Sequence, residues 1–195
     1  MQFKETKVGK LIPKAVNWIH DRWVLLLLSM VMVLAYSIIH EYIHYFANLA
    51  LGHTGYITYG LMAYFFHFND LGTMPVVHYF LIGSAPYFFD MTLLLIVFCI
   101  YNIRPRYKTI LAKIAFFPAL DIVWNCFMIL PSFITQSSDD FLNMLRIAAL
   151  HNRETVAIMI GFITLVLLLG IFLFTPFWPA IKDLLWVSKK ELVKS

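Results

Sequence analysis

The chain has 195 residues, of which 61% are hydrophobic, 17% aromatic and only 13% charged, with a formal net charge of +4. A mean hydropathy of +0.77 lies well outside the soluble range, so the composition excludes a water-soluble domain and points to one membrane-embedded domain over residues 1–195. The basic residues are dispersed among loops rather than gathered on one face, which excludes a nucleic-acid partner and leaves the lipid bilayer as the surroundings.

Residues 1–22 carry Lys4, Lys7, Lys10, Lys14 and Arg22 with Leu11, Ile12, Val16, Trp18 and Ile19 between them. From Lys14 on this reads as a short amphipathic helix on the membrane surface. The long stretch before the first apolar run, and the lack of a small-residue cleavage pattern after it, predict no cleavable signal peptide.

The first predicted span covers 23–51. Residues 52–74 differ from it. Gly55-Tyr56-Ile57-Thr58-Tyr59-Gly60 is aromatic and β-branched between glycines, Leu61–Phe68 is aromatic again, and turn residues follow. This predicts a β-like hairpin or re-entrant segment. The second span covers 75–101, where Pro86 is expected to kink the helix and free a carbonyl. A basic turn at 102–106 leads to a third span over 107–133. In the connector 134–153, Asp139 or Asp140 is placed to cap a short helix from Phe141 to His151. The fourth span covers 154–178, and a basic tail fills 179–195. Cys99 and Cys126 both fall in apolar runs and offer neither a disulfide framework nor a thiolate zinc site.

The expected fold is therefore an all-α, multi-pass integral membrane protein. It has four transmembrane helices and a membrane-associated β-like hairpin between the first two. Lys and Arg concentrate in the N-terminal segment, the 102–113 region and the tail, and are absent from 52–74. With an even number of spans, the positive-inside rule puts both termini in the cytoplasm.

The chemistry starts at His40-Glu41-Tyr42-Ile43-His44, an HExxH pentapeptide inside the first apolar run. Chance placement at this composition gives about 0.005 such matches in a chain this long. Residues four apart share a helix face, so both imidazoles can reach one metal ion. Zinc suits such nitrogens, and Glu41 beside them can take a proton from an activated water. In a membrane helix, two imidazoles and a carboxylate cost several kcal/mol unless they are used.

A catalytic zinc usually has three protein ligands. Asp90, Asp121, His53, His67, His78 and His151 are the candidates for the third. Asp121 is the strongest, because it sits in the middle of an apolar helix with Pro118 loosening the turn before it. Asn125, one turn later on the same face, can orient that carboxylate or hold a substrate carbonyl. One point of depth resists this choice. At 1.5 Å per residue His44 lies about 31 Å up its span from Trp23, whereas Asp121 lies about 18 Å up from Thr109.

The HExxH helix, the β-like segment, the Gly83-Ser84-Ala85-Pro86 helix and the Pro118-Ala119-Leu120-Asp121 helix together resemble the site-2 protease family of intramembrane zinc metalloproteases. The resemblance covers roughly residues 23–133. Ile122 stands where the family has a Gly after its Leu-Asp, and Phe89 where it has an Asn after its Gly-Pro. The resemblance implies His40, His44 and Asp121 as ligands of one zinc ion per chain, and Glu41 as general base. It also implies that an extended transmembrane protein or peptide substrate pairs with the β-like segment, with Gly55, Tyr56, Ile57, Thr58 and Tyr59 as binding residues.

Two other classes fit parts of the pattern. A membrane di-iron oxygenase would use His40 and His44 as one box but needs further His-rich boxes. A non-catalytic protein that binds transmembrane partners would use Asp90 and Asp121 as polar contacts between helices.

Overall fold

The computed structural model describes residues 23–60, 64–69, 73–136, 139–179 and 182, with the side chains of 24–26, 28, 29, 64, 105 and 109 excepted. The expected surface helix within 1–22, and the basic tail past Pro179 apart from Lys182, lie outside the described residues.

Helix α1 runs Trp23–Ala50. It ends in a glycine cap: Gly52 takes φ +80°, its N–H reaches Leu49 O at 3.0 Å, and the N–H of His53 reaches Asn48 O at 3.0 Å. That pair of bonds is a Schellman motif, and glycine adopts its left-handed backbone without strain. The chain then turns into strands β1, Gly55–Tyr59, and β2, Tyr64–Phe68, paired antiparallel with Ile57 opposite Phe66.

Helix α2 runs Val76–Ile103, a short 3-10 turn spans Pro105–Tyr107, and α3 runs Lys108–Thr135. Helix α4, Asp140–His151, is short and capped by the Asp139 side chain, which accepts from Leu142 N at 3.0 Å. Helix α5 runs Arg153–Phe174, its first turn capped by Asn152, and a 3-10 turn over Thr175–Phe177 extends it. The architecture is thus helical with one two-stranded hairpin between α1 and α2.

Among the described residues three segments are long and apolar enough to cross a membrane: Val76–Ile103, Ile110–Thr135 and Arg153–Phe177. Large apolar side chains cover their outward faces, among them Leu95 and Ile96 on α2, Phe127 and Leu130 on α3, and Leu165 and Leu168 on α5. Such a surface needs lipid, so the chain has the character of a membrane protein. Helix α1 is 28 residues long, and its role as a fourth span belongs to the arrangement proposed below.

The core lies between α2, α3, α4 and α5, with Tyr87, Leu94, Ala115, Ala119, Ile122, Phe141, Met144 and Val166 all buried. Small residues set the distances between helices, as expected where helices pack without a hydrophobic drive from water. A Cβ added at Gly170 would stand 3.2 Å from Ile122 Cγ2, and one at Gly83 would stand 3.0 Å from Met144 Cγ and Sδ. The second contact brings α4 against α2, and Tyr87 stacks on Phe141 with ring centroids 4.2 Å apart. Together these contacts hold the first turn of α4, and so Asp140, beside α1.

A candidate metal centre

His40 and His44 lie one turn apart on α1, and both are buried. Their Nε2 atoms are 3.2 Å apart. Asp140 Oδ2 lies 2.9 Å from His40 Nε2 and 3.0 Å from His44 Nε2. Three ligand atoms held about 2.0–2.1 Å from one tetrahedral ion stand about 3.3 Å from each other. The trio is therefore already close to the size of a metal-binding face, and His40, His44 and Asp140 form a group that could hold a metal ion.

The other ring nitrogens say which way the imidazoles point. His44 donates from Nδ1 to the carbonyl oxygen of Ile82 at 2.8 Å. His40 donates from Nδ1 to Asp121 Oδ2 at 2.8 Å. A carbonyl and a carboxylate only accept, so each Nδ1 carries its proton, and the neutral imidazole then turns an Nε2 lone pair toward Asp140. Two lone pairs and a carboxylate oxygen converging on one point repel each other unless a proton or a metal ion sits there. Engaging the far nitrogen of a ligand histidine in this way is the usual second layer of a metal site. Tyr87 adds a hydroxyl donor to Asp140 Oδ2 at 3.2 Å and an edge-on ring contact to His40. Burial alone would raise the Asp140 pKa, but the imidazoles of His44 and His40, when protonated, outweigh it and hold the carboxyl well below the usual carboxylate range.

The carbonyl that receives His44 has a local origin. Pro86 has no N–H, so the carbonyl four residues before it, Ile82, lacks its helical partner. The expected free carbonyl of α2 is the one that anchors a histidine of the HExxH pair.

Asp121 meets His40 at Nδ1, the ring nitrogen that faces away from Asp140, so its carboxylate orients the imidazole and Asp140 stands at the shared point. Asn125 donates from Nδ2 to Asp121 O at 3.0 Å and to Asp121 Oδ1 at 3.3 Å, so it steadies that carboxylate from one turn away. The difference in depth counted along the spans does not keep Asp121 away, since its Oδ2 reaches His40 Nδ1 at 2.8 Å. A signal for Asp140 existed in the sequence: Asp139 and Asp140 stand together where one cap suffices, and the cap uses Asp139.

Glu41 Oε2 accepts from the backbone N–H of Phe66 at 2.7 Å. The Phe66 ring stacks on His44 with centroids 6.1 Å apart and an interplanar angle of 16°. Strand β2 is thus the strand at the site. Gly55, Tyr56, Ile57, Thr58 and Tyr59 form β1, which lies on the other side of β2 from the Glu41 bond.

The remaining described histidines lie elsewhere. His53 Nε2 and His78 Nδ1 are 2.8 Å apart, His67 Nε2 lies 2.7 Å from Thr58 Oγ1, and His151 is exposed at the end of α4. Asp90 is buried on α2 and accepts a hydrogen bond from the Tyr36 hydroxyl. No protein-family model, characterised protein or solved structure matches this chain.

Proposed function

We propose that the protein is an intramembrane zinc metalloprotease, a distant member of the site-2 protease family, that hydrolyses peptide bonds of transmembrane or membrane-associated substrates. The observation that carries the reading is the convergence of His40 Nε2, His44 Nε2 and Asp140 Oδ2 within 3.2 Å of one another, with both Nδ1 atoms engaged as donors. The donor set of two imidazoles and one carboxylate suits a catalytic zinc, which keeps a position open for water. Helix α1 is the fourth span in this arrangement, both termini are cytoplasmic, and the site lies near the opposite face.

When bound, zinc supplies Lewis acidity that polarises the scissile carbonyl and activates a water near neutral pH. His40, His44 and Asp140 would hold it. Asp121, itself steadied by Asn125, fixes the tautomer and the plane of His40, and Ile82 O does the same for His44. Glu41, next in sequence to His40, takes the proton of the attacking water and passes it to the leaving amine. The substrate unwinds to expose its scissile bond, and the hairpin beside Glu41 offers an extended peptide a strand to pair with.

The oxygenase alternative needs more histidines at the metal, and those described lie in other places. Metal analysis separates the two: one zinc per chain fits the protease, two irons the oxygenase. The direct test is Glu41→Gln with a co-expressed transmembrane substrate. Cleavage is lost while zinc stays bound. A variant that cleaves at the rate of the parent protein contradicts the role of Glu41, and a metal-free protein indifferent to loss of Asp140 favours the non-catalytic partner-binding class.

A further inference from the structure

The alternation of the hairpin ladder decides where the Phe66 N–H points. Asn69 N bonds Thr54 O at 3.1 Å, so the bonded pairs continue at Tyr56 with His67 and at Thr58 with Phe65. Ile57 and Phe66 face each other as a non-bonded pair, and the Phe66 N–H therefore points off the edge of β2 away from β1, which no further strand pairs among the described residues. An open edge is where an added strand makes its main-chain bonds. At this edge the acceptor is a side chain, Glu41 Oε2 at 2.7 Å, from the residue that has to act as base.

From this geometry we propose that the Phe66 N–H is the main-chain donor for the substrate and that Glu41 occupies it until an extended peptide arrives. The inference rests on the protease reading above. A carboxylate that accepts a strong hydrogen bond from an amide is a weaker base and is turned away from water. A substrate carbonyl that pairs with the β2 edge takes over the N–H and releases Glu41 at the moment a scissile bond is in place. The ligand class is an extended peptide with at least one carbonyl able to add to β2. The Phe66 ring on His44 ties the same residue to the metal ligands, so strand pairing and the release of Glu41 occur at one point. Water then reaches an active base chiefly when a peptide is bound.

Two measurements test it. The first is hydrogen exchange at the Phe66 amide in the parent protein and in Glu41→Ala. The proposal expects protection that falls about tenfold or more when the carboxylate is removed. Equal exchange in both overturns it and leaves the protease reading standing. The second replaces Phe66 by the α-hydroxy acid phenyllactic acid, which keeps the ring, removes the N–H and weakens the Phe65 carbonyl as an acceptor. The lost N–H lies outside the β1–β2 ladder, so every ladder donor is kept and only the Thr58–Phe65 bond is weakened. With zinc bound, hydrolysis of a fluorogenic tripeptide too short to pair as a strand is expected to rise about tenfold, while cleavage of a transmembrane substrate falls by a similar factor. A fall in both rates means that the N–H holds Glu41 in its working position, and overturns the proposal. If the zinc-loaded parent protein cleaves neither substrate, the protease reading fails and the gating fails with it, whatever the exchange shows.

Discussion

His44 donates its Nδ1 proton to the carbonyl oxygen of Ile82 at 2.8 Å, and that carbonyl has no helical partner because Pro86 stands four residues later. A defect in one helix is thus the anchor for a histidine on another. In an apolar interior both groups are costly alone, and the bond between them satisfies each.

Pro86→Ala tests this link. Alanine restores an N–H at 86, the helix reclaims the Ile82 carbonyl, and His44 loses its anchor. Losing such a partner of a ligand histidine typically costs 10–100-fold in metal affinity. Zinc affinity by chelator competition is expected to fall in that range while helix content stays the same. Unchanged affinity would mean that the Ile82 contact does not orient His44.

Asp140 and Asp121 have different duties, and their neutral variants separate them. Asp140→Asn removes one of the three groups at the shared point and is expected to lower zinc affinity more than 100-fold, above the usual cost of a supporting group. Asp121→Asn keeps an oxygen that can accept from His40 Nδ1, so its loss stays near tenfold. Zinc affinity of the two variants, measured side by side, checks this. The reverse order would make Asp121 the ligand and Asp140 the support.

Gly83 sets the seat of α4. A side chain there meets Met144 at 3.0 Å, and α4 carries Asp140 at its first turn. Gly83→Val is expected to cost about 1–3 kcal/mol by overpacking, and to weaken zinc binding as Asp140 is pushed from the histidines. Adding Met144→Ala makes room and restores part of both. Thermal unfolding and zinc affinity of the single and double variants check the coupling, and a double variant no better than the single one would show that Met144 is not the obstacle.

Much of this arrangement was legible from local rules. The four-residue spacing of His40 and His44 places both imidazoles on one face of any helix, whatever surrounds it. The aromatic and β-branched run between Gly55 and Gly60 marks a strand, and a proline inside an apolar run announces a free carbonyl. The partner of that carbonyl was not legible, because it depends on how α1 and α2 pack. Asp140 was hidden for a similar reason. An aspartate at the start of a short helix looks like a cap, and it is the stacking of Tyr87 on Phe141 and the seat of Met144 against Gly83 that bring this one to the histidines. Asp121 is legible as a carboxylate inside an apolar helix and lies half-buried at the site, but the nitrogen of His40 that it meets depends on the rotation of two helices. Among the described residues, three of the four expected spans are long and apolar enough to cross a membrane.

An anomalous-scattering map of the zinc-loaded protein tests the metal centre itself. One peak per chain is expected, about 2.0–2.2 Å from His40 Nε2, His44 Nε2 and a carboxylate oxygen of Asp140, with Asp121 retained on His40 Nδ1. A peak bound by Asp121 in place of Asp140, or no peak between the two histidines, would contradict it.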